Sequence, residues 1–326
     1  MQFLHAKTRY ITSDRHEVIA SMMTHHENMV LQGDCRAVLK ELEDDSIDTC
    51  ITSPPYWGCR DYGIDGQIGI EQNPFDYVNE LAGIFSVVKD KLKPEGSLYT
   101  IIDDVWVSNW TRCRKNTWIS SKDGDDEGVS NEDIPEKCKI PRNWPKTLGM
   151  DSWFKAKQKM LLPERLIIKM QEEQAWFFRE KLIWYKPNAG NYTNIRDRFA
   201  HAYEYVLHFT KSQYYYANMD AIKDPVSGKL QRDVLSIPIE RSTSEHSAVF
   251  PKALVKLLIE FSCPSGGTVL DPFCGTGTTL VVAKALNRPY IGIELSEAYY
   301  NVAKHRLETG EEVRGAGKNS SLLEWT

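Results

Sequence analysis

Short apolar runs alternate with amphipathic stretches along most of the chain. Between two such runs, apolar residues recur at helical spacing, as at Val78, Leu81 and Phe85, which predicts a helix with one apolar face. Strands separated by helices are typical of β-α-β units, so we predict an α/β fold with a mostly parallel sheet. The predicted strands are residues 47–52, 97–102, 181–185, 203–209, 268–271 and 290–294, and residues 29–32 before them form a short apolar run.

One long segment interrupts this alternation. Residues 104–160 join an acidic, glycine-containing stretch to a basic one, so we predict an insert in the α/β core. The chain before the first strand is polar and rich in histidine, and the chain after the last helix is rich in Gly, Glu, Lys and Ser. The predicted organisation is an N-terminal arm (1–28), a first part of the core (29–103), the insert (104–160), a second part of the core (161–308) and a flexible tail (309–326).

Composition restricts the class of protein. The 326 residues are 41% hydrophobic and 26% charged, which are ordinary globular values and exclude collagen-like or wholly disordered chains. No apolar run approaches the roughly 18 residues that span a bilayer, and the N-terminus lacks the apolar core of a secretory signal. The seven cysteines never form C-x-x-C, so we expect reduced thiols, no metal site and a cytoplasmic protein.

A glycine-rich turn is the first candidate binding site. The segment Val269-Leu-Asp-Pro-Phe-Cys-Gly-Thr-Gly-Thr-Thr-Leu280 indicates a strand, a tight turn and a helix start, although an ordinary connection would look similar. Glu294 ends the next strand, where an acid can hold both hydroxyls of a ribose. Leu280 stands where a dinucleotide fingerprint would have its third glycine. This turn therefore favours S-adenosylmethionine over the nicotinamide cofactor of an oxidoreductase.

The second candidate is Ser-Pro-Pro-Tyr at residues 53–56, directly after an apolar strand. Two prolines can simply end a strand. They also expose the Pro54 carbonyl rigidly beside a small hydroxyl and an aromatic face. A carbonyl and a hydroxyl can accept the two hydrogens of an exocyclic amine while the ring stacks on the base. These groups suit a base extruded from a duplex.

The two motifs in this order resemble the amino-group DNA methyltransferases of the beta arrangement, specifically the cytosine-N4 type, over residues 29–103 and 160–308 approximately. Shorter matches are Gly33-Asp34-Cys35, Leu92-Lys-Pro-Glu-Gly96, Trp184-Tyr-Lys-Pro-Asn188, His201-Ala-Tyr-Glu-Tyr205 and His246-Ser-Ala-Val-Phe-Pro251. Asp103-Asp104 departs from the family's Gly-Asp. The resemblance implies a doubly wound, seven-stranded, Rossmann-like methyltransferase sheet with permuted chain order and an inserted DNA-recognition region.

The resemblance also implies roles for individual residues. Asp34 would lie at the adenine of S-adenosylmethionine, Glu294 at its ribose and residues 246–251 near its methionine part. Without the resemblance, Asp34 would be interpreted as a helix cap and Phe250 as a core residue. The implied catalytic residues are Ser53, Pro54, Pro55 and Tyr56, and the implied cofactor-binding residues are Asp34, Cys35, Asp271, Phe273, Gly275, Gly277, Glu294, His246 and Phe250.

The expected reaction is methyl transfer to the N4 amine of a flipped cytosine in double-stranded DNA, with a cognate restriction endonuclease as a candidate partner. Adenine-N6 methylation is the nearest alternative, because it shares the geometry and usually has Asp where Ser53 stands. Cytosine-C5 chemistry needs a nucleophilic thiolate, typically in a Pro-Cys pair, and the chain contains no such pair. A non-catalytic nucleic-acid-binding protein that retains the fold is the alternative from another class.

DNA sequence recognition is assigned to the insert. The net charge of −5 requires any basic DNA-binding surface to be local, and the densest basic stretch is residues 137–169. Residues 220–244 are the alternative recognition segment. Arg and Lys suit guanine, and Asn and Gln suit adenine, in the major groove. The candidate DNA-binding residues are Arg142, Asn143, Lys146 and Gln158.

Overall fold

The computed structural model describes residues 9–12, 28–71, 73–106, 113–114, 117–118, 158–190, 198–240 and 250–310. The strands are β1 (Arg9–Thr12), β2 (Met29–Gln32), β3 (Ile47–Thr52), β4 (Leu92–Ile102), β5 (Cys113–Arg114), β6 (Thr117–Trp118), β7 (Phe177–Tyr185), β8 (Tyr203–Thr210), β9 (Val234–Ser236), β10 (Val269–Asp271) and β11 (Tyr290–Glu294). The α-helices are α1 (Cys35–Val38), α2 (Pro74–Lys91), α3 (Leu162–Gln174), α4 (Lys252–Ser262), α5 (Thr278–Ala285) and α6 (Glu297–Thr309). Leu39–Glu41 and Met219–Ile222 form 3₁₀ turns.

Nine of these strands form one open sheet in the order β1-β2-β11-β10-β3-β4-β8-β7-β9. The six predicted strands and the short apolar run at residues 29–32 are its seven inner members, and short strands not anticipated from the sequence extend both edges. Among the strands described in this sheet, β8 alone runs antiparallel to its neighbours, β4 and β7. The predicted α/β methyltransferase architecture with permuted chain order is confirmed.

The extra strand β1 lies in the segment predicted to be a loose arm. Arg9 pairs with Met29 and Thr12 with Gln32 in a parallel ladder. Strand β1 therefore covers the edge of β2 that does not face β11, where peptide groups would otherwise lack ladder partners. At the other edge of the sheet, β9 pairs in parallel with β7. These additions leave the order of the inner strands unchanged.

Helices cover both faces of the sheet, as in a doubly wound fold. Successive strand residues point to opposite faces, so Met29 and Leu31 belong to one apolar cluster and Val30 to the other. The first cluster packs against α1, α2 and α3, and the second packs against α4, α5 and α6. The core therefore holds the central strands rigidly from both sides.

The sheet order brings the carboxyl ends of five strands together at one edge. Strands β2, β11, β10, β3 and β4 are neighbours and run parallel, so their carboxyl ends lie side by side. Ligands of open α/β sheets bind outside these ends. The residues at the five ends are Gly33 and Asp34 after β2, Glu294 at the end of β11, Asp271 at the end of β10, Ser53 after β3 and Asp103 after β4.

The insert begins and ends at this same edge. The carboxylate of Asp104 accepts the backbone N–H groups of Leu161 and Leu162, each at 3.1 Å, and Met160 N donates to the Val105 carbonyl at 3.0 Å. These bonds close the base of the insert beside β4. Within it, the backbone of β5 and β6 forms a short antiparallel pair, and the predicted DNA-binding residues Arg142, Asn143 and Lys146 lie outside the described residues.

Candidate active site

A cavity of about 530 Å³ lies at the carboxyl edge of the central strands. Its wall contains both motifs identified in the sequence, the Ser-Pro-Pro-Tyr turn and the glycine turn. The strands that precede these turns meet in the fold, although Thr52 at the end of β3 and Asp271 at the end of β10 are 219 residues apart. The predicted site residues that line it are Asp34, Cys35, Ser53, Pro54, Pro55, Tyr56, Phe250, Phe273, Gly275 and Glu294. The structure therefore brings both predicted groups of residues into one cavity.

Asp271 does not line the cavity, in contrast to its predicted place among the cofactor-binding residues. Its side chain is fully buried and accepts hydrogen bonds from the Thr52 hydroxyl at 2.6 Å and the Thr279 hydroxyl at 2.7 Å. The Phe273 N–H donates to it at 3.1 Å. Burial raises the pKa of Asp271 to about 6, and these bonds partly oppose that shift. Asp271 thus supports the glycine turn from beneath and ties β10 to β3.

The two predicted glycines differ in their positions. Gly275 lines the cavity. Gly277 lies behind it, at the start of α5 with a φ of +79°, and a Cβ there would come within 3.0 Å of the Ala303 Cβ. Glycine at this position therefore allows α5 and α6 to pack closely. His246 lies outside the described residues.

The leucine at position 280, where a dinucleotide fingerprint has glycine, is accommodated by Gly292. Leu280 is fully buried, and a Cβ added to Gly292 of β11 would lie 2.4 Å from the Leu280 Cδ1. In a dinucleotide fingerprint the third glycine lets helix and strand approach closely. Here the missing side chain belongs to the strand instead, so α5 can carry a leucine and still pack against β11.

Glu294 contributes a half-buried carboxyl group to the cavity wall. One oxygen accepts the Gly275 N–H at 2.9 Å and the other accepts the Ser296 N–H at 2.7 Å. Burial raises the pKa of Glu294 to about 7, against the opposing effect of backbone hydrogen bonds. The group therefore changes charge near neutral pH while it faces the cavity.

Asp34 serves as a helix cap and as part of the cavity wall. Its carboxylate accepts the Arg36 N–H at 2.8 Å at the start of α1 and pairs with the Arg36 guanidinium. Burial acts to raise the pKa of Asp34, but the hydrogen bonds and charge of Arg36 outweigh it, so the pKa falls below its ordinary value. Arg36 also donates to the Gly66 carbonyl at 2.7 Å and to Glu80 at 2.8 Å.

The Ser-Pro-Pro-Tyr turn is held from below and from the side. The hydroxyl of Tyr77, a core residue of α2, donates to the Pro55 carbonyl at 2.9 Å. The hydroxyl of half-buried Tyr56 donates to Glu204 at 2.7 Å, and Lys186 forms an ion pair with the same carboxylate. Burial, and next the negative charge of Glu204, raise the pKa of Tyr56 well above its ordinary value.

Two contributors to the site were missed from the sequence, although both lie in quoted matches. Glu204 belongs to His201-Ala-Tyr-Glu-Tyr205 and Lys186 to Trp184-Tyr-Lys-Pro-Asn188, but neither was assigned a role. Both line the cavity. The available signal was charge beside aromatic residues: Glu204 stands between two tyrosines at the start of β8, and Lys186 directly follows Trp184 and Tyr185 at the end of β7.

The loop after the Ser-Pro-Pro-Tyr turn forms a further wall that the sequence did not predict. Tyr62 meets Tyr299 of α6 edge to face, with ring centres 5.9 Å apart. The Gln67 side chain accepts the Tyr62 N–H at 2.7 Å and donates to the Arg60 carbonyl at 3.0 Å. The residues of this loop that line the cavity are Cys59, Arg60, Tyr62, Ile64, Gly66, Gln67 and Ile68.

Basic and aromatic side chains meet at the root of the insert. Trp106 forms an isolated bridge with Lys159, and the Lys159 ammonium and the Arg198 guanidinium lie 5.2 and 4.7 Å from the Trp106 ring centre. Next to Lys159 is exposed Gln158. Beside this cluster, His201 contacts the Asp103 carboxylate at 2.7 Å. The one predicted DNA-binding residue that is described thus lies at the cavity edge of the molecule.

Thiols and metal ligands add no further site to the described residues. Cys35, Cys50, Cys59, Cys263 and Cys274 are free. Throughout the described ranges, no group of His, Cys, Asp and Glu side chains is arranged to hold a metal ion. None of the helices described combines the length and the apolar character needed to cross a membrane.

Comparisons with known proteins show the family to which the chain is similar. A family model described as DNA methylase (N6/N4 methyltransferases) matches residues 47–305. The type II methyltransferase M.SmaI from Serratia marcescens is 36% identical over 283 residues, covering 85% of this chain and 90% of its own. The type II methyltransferase M.Cfr9I from Citrobacter freundii is 34% identical over 286 residues, covering 87% and 88%.

Solved structures show the same fold. The PvuII DNA methyltransferase (cytosine-N4-specific) has a TM-score of 0.62 at 20% identity and covers 96% of this chain and 90% of its own. A DNA modification methylase from Thermus thermophilus, complexed with S-adenosyl-L-methionine, has a TM-score of 0.57 at 22% identity and covers 89% and 100%.

Proposed function

The chain belongs to the DNA methylase family and is a DNA methyltransferase, and from this premise we propose that it methylates the exocyclic N4 amine of cytosine in double-stranded DNA with S-adenosylmethionine as the methyl donor. One observation carries this proposal. The Ser-Pro-Pro-Tyr turn shares a single cavity with the glycine turn and Glu294. Groups suited to an amine and groups suited to a nucleoside therefore face the same space.

The cavity fits S-adenosylmethionine by the chemistry of its wall. The ionised carboxylate of Glu294 has about four lone-pair sites, and the Gly275 and Ser296 N–H groups occupy one on each oxygen, so both oxygens can still accept a ribose hydroxyl. Phe273, Phe250 and Ile68 supply apolar and aromatic surface. When bound, S-adenosylmethionine supplies a methyl group on a positively charged sulfur.

The target amine needs activation because its lone pair is delocalised into the pyrimidine ring. The Ser53 hydroxyl and the Pro54 carbonyl can accept its two hydrogens, which favours a pyramidal nitrogen with an exposed lone pair. The Tyr56 ring stacks on the extruded base and fixes its plane. Most of the acceleration then comes from positioning, since the attack must be in line with the bond that breaks.

Ser53 favours cytosine over adenine as the target. Adenine-N6 enzymes usually carry Asp at this position, and the fold neighbour PvuII methyltransferase is described as cytosine-N4-specific. Adenine-N6 methylation is the second candidate, because the matching family comprises both activities.

A product analysis tests the proposal directly. The purified protein is incubated with unmethylated DNA and isotopically labelled S-adenosylmethionine, and the DNA is digested to nucleosides for mass spectrometry. We expect labelled N4-methyldeoxycytidine, and none from a Ser53→Ala variant that still binds the cofactor. Labelled N6-methyldeoxyadenosine would replace cytosine by adenine as the target, and the absence of label would indicate a DNA-binding protein without activity.

We assign sequence recognition to the insert on the basis of where it emerges. Its base closes through Asp104 at the cavity edge. By contrast, Asn218, just before the alternative segment, bonds to the Glu260 and Phe261 carbonyls at the far end of α4. This helix begins two residues after cavity-lining Phe250, and its 11 residues span about 16 Å. Ile239, near the end of the alternative segment, does line the cavity, so our preference for the insert rests on its emergence at this edge together with its dense basic stretch, residues 137–169.

A restriction endonuclease that recognises the same sequence is the partner that we propose. The relatives M.SmaI and M.Cfr9I are described as type II methyltransferases. In a restriction–modification system, such methylation protects the host's own DNA. Challenge of in vitro methylated DNA with candidate endonucleases, after the methylated sequence is known, would identify the partner activity.

A further inference from the structure

A continuous set of polar contacts leads from Tyr56 to the strands at the side of the cavity. The Tyr56 hydroxyl donates to one oxygen of Glu204 at 2.7 Å, and the Lys186 ammonium donates to the other. Lys186 in turn lies 4.6 Å from the centre of the Trp184 ring. All four residues line the cavity. We call Tyr56, Glu204, Lys186 and Trp184 the tyrosine anchor.

Within the tyrosine anchor, the three partners of Tyr56 are positioned by paired strands, whereas Tyr56 itself lies in a turn. Trp184 of β7 and Glu204 of β8 are direct partners in the antiparallel ladder. The backbone N–H of Lys186 donates to the Ala202 carbonyl at 2.8 Å, and the Trp184 indole donates to the Ile237 carbonyl at 2.8 Å. The position of the Glu204 carboxylate is therefore set by the sheet.

The charges of the anchor balance each other. The side chains of Lys186 and Glu204 are only 16% and 17% exposed, so each charge is partly desolvated and depends on the other. With Lys186 on one oxygen, the carboxylate keeps its other oxygen for the Tyr56 hydroxyl. A phenol bound to a carboxylate forms a charge-assisted hydrogen bond, which is stronger than a neutral one. Such a bond restricts rotation of the Tyr56 ring.

We propose that Glu204, held by Lys186, is a positioning residue that fixes the Tyr56 ring in the orientation needed to stack on the extruded base. This inference rests on the proposed function, since stacking by Tyr56 is part of it. A ring that is oriented before DNA arrives loses less conformational freedom on binding. Glu204 then acts on the target base through the ring, while the Tyr56 hydroxyl also interacts with the Ser53 side chain.

A double-mutant cycle tests this dependence. Tyr56→Phe keeps the ring and removes the anchored hydroxyl, and Glu204→Ala removes its acceptor. Loss of a hydrogen bond to a charged group is expected to lower kcat/KM for DNA roughly tenfold in each single variant. The kcat/KM of the double variant should lie within about twofold of that of the less active single variant, because both changes release the same ring.

Fluorescence separates ring positioning from a general structural role. Pyrrolocytosine, a fluorescent cytosine analogue, replaces the target base in the sequence that the methylation assay identifies. Stacking on Tyr56 quenches it, and we expect Tyr56→Phe and Glu204→Ala to relieve this quenching equally. Affinity for S-adenosylmethionine, measured by calorimetry, should remain within about twofold of the wild type, because the Tyr56–Glu204 bond connects the turn to β8 and not to the glycine turn or Glu294.

Glu164→Ala provides a matched control. It removes the carboxylate from another ion pair of β7, in which Glu164 lies 2.6 Å from Lys181 and both side chains are about one-third exposed. This pair lies outside the cavity lining, so kcat/KM and quenching should match the wild type. If Glu204→Ala fails to fold, Glu204→Gln replaces it, and its kcat/KM should fall between those of the wild type and Tyr56→Phe.

The outcomes distinguish this inference from the proposed function. If the wild type transfers no methyl group to DNA, both fail. If it methylates DNA but the losses in the double variant multiply, or Tyr56→Phe keeps full activity and quenching, then only the anchoring role of Glu204 is wrong. The inference is supported if kcat/KM falls in both single variants, falls no further in the double variant, and affinity for S-adenosylmethionine is unchanged.

Discussion

Two carboxyl groups at the carboxyl ends of β10 and β11, one fully buried and one half-buried, have different surroundings. Asp271 is bonded by two threonine hydroxyls and a backbone N–H and faces away from the cavity, whereas Glu294 is bonded by backbone N–H groups and lines it. Both have a pKa raised by burial, to about 6 and about 7 respectively. A half-buried carboxyl that faces open space and holds a raised pKa is typical of a binding group kept ready for a ligand.

The raised pKa of Glu294 makes a prediction about stability. Its pKa is about 7 in the folded chain against an ordinary value of 4.5, so the folded state keeps this proton up to a higher pH than the unfolded state does. Glu294 therefore costs stability progressively as the pH rises from about 4.5 to 7. We expect Glu294→Gln to raise the Tm of the cofactor-free protein at pH 8 but not at pH 4.5, measured by calorimetry.

The affinity for S-adenosylmethionine should increase as Glu294 loses its proton, whereas the stability of the cofactor-free protein decreases. Ionised Glu294 can accept both ribose hydroxyls, and the protonated form cannot, so affinity for S-adenosylmethionine is expected to rise between pH 6 and pH 8. Glu294→Gln should bind more weakly, by roughly 1.5–3 kcal/mol at pH 8, and with a flatter pH profile. Calorimetry in two buffers of different ionisation enthalpy would detect the proton released by the wild type. Identical profiles for the two proteins would place the ribose elsewhere.

Tyr56→Ala should separate catalysis from cofactor binding. Loss of base–aromatic stacking costs about 1–3 kcal/mol, so methyl transfer is expected to fall by roughly one to two orders of magnitude. The Tyr56 hydroxyl bonds to Glu204 and not to the glycine turn, so affinity for S-adenosylmethionine should be unchanged. Undiminished turnover by the folded variant would rule out stacking by Tyr56.

The elements of the central sheet were predictable from local pattern. Strands such as β2 and β11 are buried on both faces and therefore appear as short apolar runs between turn signals. Strand β4 begins at Leu92, five residues earlier than predicted. Leu92 pairs with Ile47, and the regular ladder with β3 resumes only at Ser97, after the Lys-Pro-Glu-Gly segment. Strands β1 and β9 are four and three residues long, and only the neighbouring edge makes them strands.

Some residues around the cavity could likewise be predicted from the local sequence, and others could not. Ser53, Tyr56, Gly275 and Glu294 could be predicted because each stands at or just after the end of an apolar strand, where side chains reach the ligand edge. The buried role of Asp271 could not, since its hydroxyl partners meet it only after β3, β10 and α5 have packed together. Glu204 was missed because its partner Tyr56 is 148 residues away.

The loop of residues 57–71 gives a prediction for cofactor exchange. Tyr62 joins this loop to α6 through its edge-to-face contact with Tyr299, which is worth about 0.5–1.5 kcal/mol. Tyr62→Ala should therefore raise the dissociation rate of S-adenosylmethionine roughly two- to tenfold in stopped-flow measurements. Tyr214→Ala, at a tyrosine that is 76% exposed and outside the cavity lining, serves as the control. An unchanged rate in Tyr62→Ala would mean that this loop does not limit release.

At the scale of the whole molecule, the position of the insert predicts which surface discriminates DNA sequences. Alanine substitution of Arg142, Asn143 and Lys146 together should abolish discrimination between the cognate site and a one-base variant while cofactor affinity is retained. Discrimination is measured as the ratio of kcat/KM values on the two DNAs.

A matched triple variant decides between the two candidate segments. Lys229, Gln231 and Arg232 belong to the alternative segment and are exposed, and their replacement by alanine should leave the ratio unchanged. Loss of discrimination in this second variant, with the first unaffected, would make the insert a phosphate-binding or spacing element.

The pairing of β3 with β10 has a consequence for how the enzyme is made. The Thr52–Asp271 hydrogen bond joins residues 219 positions apart, and the centre of the sheet closes only when the last third of the chain has been synthesised. Until then the nascent chain carries an open, apolar strand edge, which is the kind of surface that chaperones bind and that drives aggregation. Contacts of such long range also slow folding. Newly made molecules should therefore become active only after a delay set by translation and late sheet closure.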